Sequence, residues 1–369
     1  MGSSGAGKTT LLNVLTARNL SNFIVSGHVK INGEFADVET ITSMSAYVQQ
    51  MDLFLAVLTV REHLIFQAMV RIPERVSAEQ KVRRVHEVMQ ELSLEKCADT
   101  IVGGTMSTGK GISGGEMKRL AFAVEILTNP SILFCDEPTS GLDSFMAAHL
   151  VTTIDNLAKA GRTVICTIHQ PSSDVFNLFE NLLLMADGRV AYLGKVNDAL
   201  VHFSKLGLNC PANYNPADFY IRELAIIPGD ELACREKLDR ICSSYLQTIQ
   251  INHRNSDLST ETLIDANKIG IKSIKHKSLY KVGTMMQYKA LAWRSWLVTK
   301  REPMLTYVRV AQAMTLAFII GIFFYNQKYN QRGIMNINGA LFLYLVNLTV
   351  QNAFAVINVS FILMFLINF

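Results

Sequence analysis

The chain has 369 residues, of which 49% are hydrophobic and 18% charged, with a formal net charge of +4. About a quarter of an ordinary soluble protein is Asp, Glu, Lys or Arg, so part of this chain is less polar than water favours. The small net charge argues against a dedicated nucleic-acid binder, and the apolar content excludes disorder as the main state. In chain order, a Gly-rich turn at Gly2 to Thr9 comes first, and Gly27-His-Val-Lys-Ile-Asn-Gly33 reads as an edge strand of a small antiparallel subdomain. Helical stretches at Lys81 to Leu94 and Phe145 to Lys159 alternate with β-rich runs at Ser131 to Cys135 and Thr163 to Ile168. Apolar strands between helices predict a parallel sheet covered on both faces. Gln247 to Ser278 is polar with little periodicity and is predicted to be a linker. In Lys281 to Arg301, Trp293, Trp296 and Leu297 share one helix face, with Lys289, Arg294, Lys300 and Arg301 able to face lipid headgroups. Val310 to Gln327 and Gly333 to Phe369 hold no Asp, Glu, Lys, Arg or His, and each can contain a transmembrane helix. Six cysteines without C-x-x-C spacing read as reduced packing residues of a cytosolic compartment.

Two motifs carry chemistry on their own. Gly2-Ser3-Ser4-Gly5-Ala6-Gly7-Lys8-Thr9, continued by Thr10, fits the phosphate-binding pattern G-x-x-x-x-G-K-[ST]. Its glycines let backbone N–H groups point inward, Lys8 would reach the β/γ-phosphates, and the Thr9 hydroxyl would bind Mg²⁺. Ser131-Ile-Leu-Phe-Cys-Asp136-Glu137 is an apolar strand ending in two acids. Asp136 can hold Mg²⁺ through water, and Glu137 can polarise an attacking water as a general base. The predicted cofactors are therefore ATP and Mg²⁺.

Ile112-Ser113-Gly114-Gly115-Glu116 resembles the signature of ATP-binding cassette (ABC) proteins. The resemblance implies an α/β P-loop NTPase fold, an ABC-type nucleotide-binding domain, followed by an α-helical transmembrane fragment. It also implies that Ser113, Gly114 and Gly115 contact the γ-phosphate held by an opposite subunit. Ser140-Gly-Leu-Asp143 looks like the D-loop of that family, His169 like its switch histidine, and Gln50 like the Q-loop glutamine that couples Mg²⁺ and water to the membrane domain. By this reading Glu137, His169 and Gln50 are catalytic, and Thr9, Gln50 and Asp136 surround the metal.

The order of domains resembles the G subfamily, the white/sterol/multidrug half-transporters. Asn215-Pro-Ala-Asp-Phe-Tyr220, Arg61-Glu-His-Leu-Ile-Phe-Gln-Ala-Met-Val70 and Met335-Asn-Ile-Asn-Gly-Ala340 are similar to the insect eye-pigment transporters of that subfamily. The implied domains are a nucleotide-binding domain at 1–205, a following segment and linker at 206–280, an amphipathic connecting helix at 281–303, and a partial membrane domain with two spans at 304–369. The implied function is ATP-driven movement of pigment precursors, guanine- or tryptophan-derived, by a dimer with a scarlet-like or brown-like half-transporter or a second copy. Membrane lipid and a small-molecule cargo are the other partners, and nucleic acid is not one. The implied location is a multi-pass membrane protein with a cytosolic ATPase, in pigment granules or another intracellular or plasma membrane. A sterol, lipid or xenobiotic exporter, a soluble cassette ATPase and an inactive fragment are the alternative readings. Met117 departs from the usual Arg or Lys after the signature Glu, and Met51 from an acid beside Gln50. Only Met1 precedes the P-loop, so the family's positioning strand and adenine-stacking aromatic are expected to be missing, and two of six spans remain. Asn347, Gln351 and Asn358 fall on one side of the second predicted span, a polar stripe suited to a cavity.

Overall fold

A computed structural model describes residues 1–18, 20, 23–50, 54–103, 111–227, 229–257, 282–325, 330–331, 333–347 and 349. The chain divides into two compact units, Met1–Ser295 and Trp296–Phe369.

In the first unit, α1 (Lys8–Thr16) leaves the Gly-rich turn directly. Strands β1 (Val29–Ile31) and β2 (Glu34–Ala36) pair antiparallel around Asn32-Gly33, whose φ values of 53° and 87° suit a tight hairpin turn. Helix α2 (Val38–Met44) leads into β3 (Ser45–Val48). Helices α3 (Val60–Arg71), α4 (Ala78–Glu91) and α5 (Gly114–Ile126) each start on a capping box, from Thr59, Ser77 and Ser113 respectively. Each cap satisfies amides that a helix start otherwise leaves open, which fixes where the three helices begin.

Strand β4 (Ile132–Asp136), α6 (Ser144–Lys159) and β5 (Thr163–Thr167) complete a parallel sheet in the order β3-β4-β5. β4 lies between two partners and is buried nearly throughout, whereas β5, paired with β4 alone among the described residues, alternates exposed and covered positions. Val48, Leu64, Val88, Leu120, Leu133 and Ile154 form the main core between the sheet and α3 to α6. Truncating a fully buried member such as Leu133 to Ala would cost about 2–5 kcal/mol.

After α7 (Ser173–Phe176), β6 (Asn181–Ala186) and β7 (Arg189–Lys195) form an antiparallel hairpin. Helices α8 (Val196–Lys205), α9 (Pro216–Glu223) and α10 (Glu231–Asp257) pack a second core on it, including Phe203, Phe219, Tyr220 and Tyr245. The polar stretch predicted as a linker from Gln247 thus begins inside α10, which stays helical to Asp257; residues 258–278 lie outside the described residues. Helix α11 (Thr284–Arg301) differs from expectation in which residues it buries. Arg294 is half-buried, with its guanidinium 4.8 Å above the Phe66 ring of α3, rather than turned towards lipid headgroups. Burial pulls its pKa down, and the ring face offsets part of the desolvation cost. Leu297 is buried, and Trp296 is 59% exposed.

In the second unit, α12 (Met304–Phe323) and helical residues 333–347 line an apolar cavity of about 750 Å³ that Asn336 and Asn347 border. Among the described residues no helix is long and apolar enough to cross a membrane. α12 has 20 residues, of which Arg309 carries the one charge. Most of the second predicted span, with Gln351 and Asn358, lies outside the described residues.

Candidate functional site

The parallel sheet gathers the predicted site at the carboxyl ends of its strands. β3 leads to Gln50, β4 ends in Asp136 and continues to Glu137, and β5 ends in Thr167, two residues before His169. Open α/β sheets bind ligands at this end.

The P-loop wraps the start of α1. Gly5 and Gly7 hold φ values of 79° and 94°, a region costly for residues with a Cβ. Gly7 occupies the cap position of α1, no side chain bonds the helix start, and no acid lies in its first turn. Amides left open at a helix start attract anions, and the helix dipole favours negative charge there. Lys8 is buried and donates to the Gly2 and Ser3 carbonyls, at 3.0 Å each. The loop is tied to the β6–β7 hairpin. Gly2 bridges Met185 of β6 in parallel, the Met185 amide donates to the Met1 carbonyl, and Gly188 in the β6–β7 turn donates to Ala6.

Asp136 is 7% exposed and accepts three hydroxyl bonds. Thr167 donates to Oδ1 at 2.6 Å, Thr9 to Oδ1 at 3.2 Å and Tyr47 to Oδ2 at 3.2 Å. Burial, and then the Asp136 charge, pushes the Tyr47 phenol up, so it stays a donor at any ordinary pH. Glu137 is partly exposed, with a left-handed φ of 44°, and its Oε2 accepts from the Gln50 amide at 2.8 Å. His169 is exposed, and the next residue, Gln170, also has a left-handed φ of 44°.

The second Gly-rich helix start is built differently. Ser113 caps α5, and its backbone N–H and Oγ both donate to Glu116 Oε2, at 2.8 and 2.9 Å. Burial works against ionising Glu116, but those bonds and Arg119 outweigh it and hold the carboxyl below its usual range. Asp143 caps α6 by accepting from the Met146 amide at 2.9 Å. Thus Thr9, Asp136, Glu137 and Gln50 are joined by hydrogen bonds to one another or through Thr167. Among the described residues no hydrogen bond links Ser113, Gly114, Gly115 or Asp143 to the P-loop.

The chain matches known proteins along most of its length. The ABC transporter family model matches residues 1–140, and two ABC-2 type transporter models match 169–278 and 286–367. Protein white of Drosophila melanogaster is 50% identical over 361 residues, 97% of this chain and 52% of that protein. This chain belongs to the ABC transporters. Protein scarlet of Drosophila melanogaster is 40% identical over 359 residues, 97% of this ABC chain and 54% of that protein. Human ATP-binding cassette sub-family G member 8 is 36% identical over 353 residues, 93% of this chain and 52% of that protein. These likenesses place the ABC chain in the G subfamily. The chain spans about half the length of these curated relatives.

Three contacts of the ABC site lie beyond what the motifs name. Thr167 and Tyr47 orient Asp136, and the buried Lys118 of α5 donates to the Gln50 carbonyl at 2.7 Å. Thr167 and Tyr47 sit on strands beside β4, and only the strand register brings them to Asp136. Lys118 had a weak signal, as a cation whose neighbours one turn away on α5 are Gly114, Gly115, Ala121 and Phe122. The β6–β7 brace had a clearer one, because Asp187-Gly188 between apolar runs is a hairpin turn signal.

Proposed function

We propose that the chain is the ATP-hydrolysing part of a G-subfamily half-transporter, working as a dimer to move a small molecule across a membrane. The observation that carries this reading is the linked set Thr9–Asp136–Thr167–Glu137–Gln50 beside an uncapped P-loop helix. Among the described residues no cluster of three or more His, Cys, Asp or Glu can hold a metal unaided. Mg²⁺ suits such a site, since it is usually bound by one or two protein oxygens together with substrate phosphates. The Thr9 hydroxyl and the Asp136 carboxylate supply those hard oxygens and would hold it. When bound, Mg²⁺ neutralises charge on the phosphate oxygens.

The α1 amides and Lys8 would bind the β- and γ-phosphates. Glu137 would take the proton of the attacking water, with Gln50 fixing the carboxylate and His169 closing on the γ-phosphate. Ser113, Gly114, Gly115 and Asp143 would serve the nucleotide of the other subunit, which fits their separation from the P-loop within one chain. The cassette would occupy 1–205 and lie in the cytosol, and the uncharged runs in 304–369 would enter the membrane. The ABC-2 match over 286–367 supports that assignment. By its likeness to the white type, the cargo would be a pigment precursor derived from guanine or tryptophan, the partner a scarlet-like or brown-like chain, and the membrane that of pigment granules.

The test is Glu137→Gln in the full-length protein, paired with an equally substituted partner. Removing the base while keeping Lys8 and Thr9 should stop turnover, by about a hundredfold or more, and leave ATP trapped. Ordinary ATPase turnover in that pair would overturn the assignment.

A further inference from the structure

We propose that Thr167 is a positioning residue whose single hydroxyl sets both acids of the hydrolytic site, tying the Asp136 carboxylate to the Glu137 backbone. The proposal rests on the reading of those acids given above. Asp136 and Thr167 are Cα partners in the β4–β5 register, so Thr167 meets the strand end where the two acids emerge. Its hydroxyl donates to Asp136 Oδ1 at 2.6 Å and accepts the Glu137 N–H at 2.9 Å. A hydroxyl has one proton and two lone pairs, so a single rotor position satisfies both bonds.

Each bond has a separate consequence. Oδ1 is tied by Thr167 and Oδ2 by Tyr47, so the Asp136 carboxylate cannot turn, and its remaining lone pairs point in fixed directions. Glu137 occupies a left-handed φ of 44°, a conformation that costs a residue with a Cβ about 1–3 kcal/mol. The bond from its amide to Thr167 holds that bend and aims the side chain at Gln50, 2.8 Å away. Thr167 is 6% exposed in a strand whose neighbours are Val164, Ile165, Cys166 and Ile168. An apolar β-branched residue would pack there as well, and burying a hydroxyl is unfavourable unless it is bonded. The need for that oxygen therefore lies in the two acids.

Thr167→Val keeps the shape and removes the oxygen, and Thr167→Ser keeps the oxygen. ATPase turnover is measured for the full-length dimer, with ATP and Mg²⁺ varied separately. Because misplacing a catalytic group by about 1 Å can cost a hundredfold, T167V should lower kcat about ten- to hundredfold. ATP affinity should be unchanged, since Lys8 and α1 are untouched, and half-saturating Mg²⁺ should rise. T167S should recover most of the turnover. Parent-like kcat in T167V, unchanged Mg²⁺ dependence in T167V, or a T167S as slow as T167V would each overturn the proposal. Glu137→Gln in the same assay separates the two claims. If it turns over like the parent, the base assignment fails by itself, while the Mg²⁺ dependence of T167V still decides the Asp136 half.

Discussion

Helices α1 and α5 both begin on glycine-rich turns, and both resemble phosphate sites in sequence, yet their first turns are occupied differently. At α1 the cap is Gly7, no side chain bonds the start, and no acid lies in the first turn. At α5 Ser113 caps the helix, and Glu116 returns a carboxylate to the Ser113 amide and hydroxyl. Every helix start has four amides without an intrahelical partner. What makes one an anion site is how many of them its own chain leaves open, and which charge already sits there. α1 meets that condition within one chain. At α5 the Glu116 carboxylate already takes the favourable place at the dipole, so a phosphate there must be brought by something else, in our reading the nucleotide of the second subunit.

The largest expected effect separates the two starts directly. Lys8→Ala should weaken ATP binding to the full-length chain about ten- to hundredfold, the range for loss of a charge-assisted hydrogen bond. Ser113→Ala should leave first-subunit binding unchanged, and lower only turnover of the dimer. Binding of a fluorescent ATP analogue under non-hydrolysing conditions reads the difference. Equal losses of binding in K8A and S113A would mean that both starts hold the same phosphate.

A smaller effect tests the closure of α5. Glu116→Ala removes the acceptor for two Ser113 bonds, and loss of a cap costs about 1 kcal/mol. Glu116→Gln keeps an acceptor oxygen and satisfies the same capping pattern. Thermal unfolding should therefore show E116A melting roughly 2–4 °C below the parent, with E116Q between them. If E116A melts with the parent, α5 does not depend on its cap, and the contrast with α1 weakens.

The parts of the site that were legible in sequence are those whose geometry is local. A P-loop is a turn and the first turn of a helix, and Asp136-Glu137 end an apolar strand, so both can be placed from consecutive residues. The antiparallel edge strand read at Gly27 to Gly33 belongs with them, although only Val29–Ile31 is strand and Asn32-Gly33 turns the chain. Thr167, Tyr47 and Lys118 act across strands or between a helix and a loop, and their roles depend on a register that no single segment encodes. Arg294 shows the opposite error. A cation on an amphipathic helix reads as solvent- or lipid-facing, but the Phe66 ring gives it a partner, and α11 buries it. α10 misled for a related reason. Residues 247–257 are polar on most sides, so the periodicity is faint, although the backbone continues as helix to Asp257.

The smallest effect is a pH dependence that only one of the two starts should have. The Glu116 carboxyl is held below its ordinary value in the folded chain, the Ser113 bonds outweighing its burial. In the unfolded chain it returns to the ordinary carboxylate range near 4.3. Between those two values the unfolded state binds the proton that the folded state refuses, so stability falls as pH falls. Glu116 contributes fully above the ordinary value, and its contribution is lost as pH drops through the depressed one. Gln at this position neither titrates nor carries the negative charge that favours a helix start. The parent should therefore out-melt E116Q at neutral pH, by an amount equivalent to about 0.3–1 kcal/mol, the usual value of a charge at the dipole. That margin should shrink on acidification below about pH 4.5, where the carboxyl begins to protonate in the unfolded chain. α1 has no acid in its first turn, so Lys8→Ala should shift the melt by a constant amount over the same pH range. A parent–E116Q margin that stays constant, or widens, as the pH is lowered would show that the α5 start is not held by a charged carboxylate, and the distinction between an open and a closed helix start would then rest on Ser113 alone.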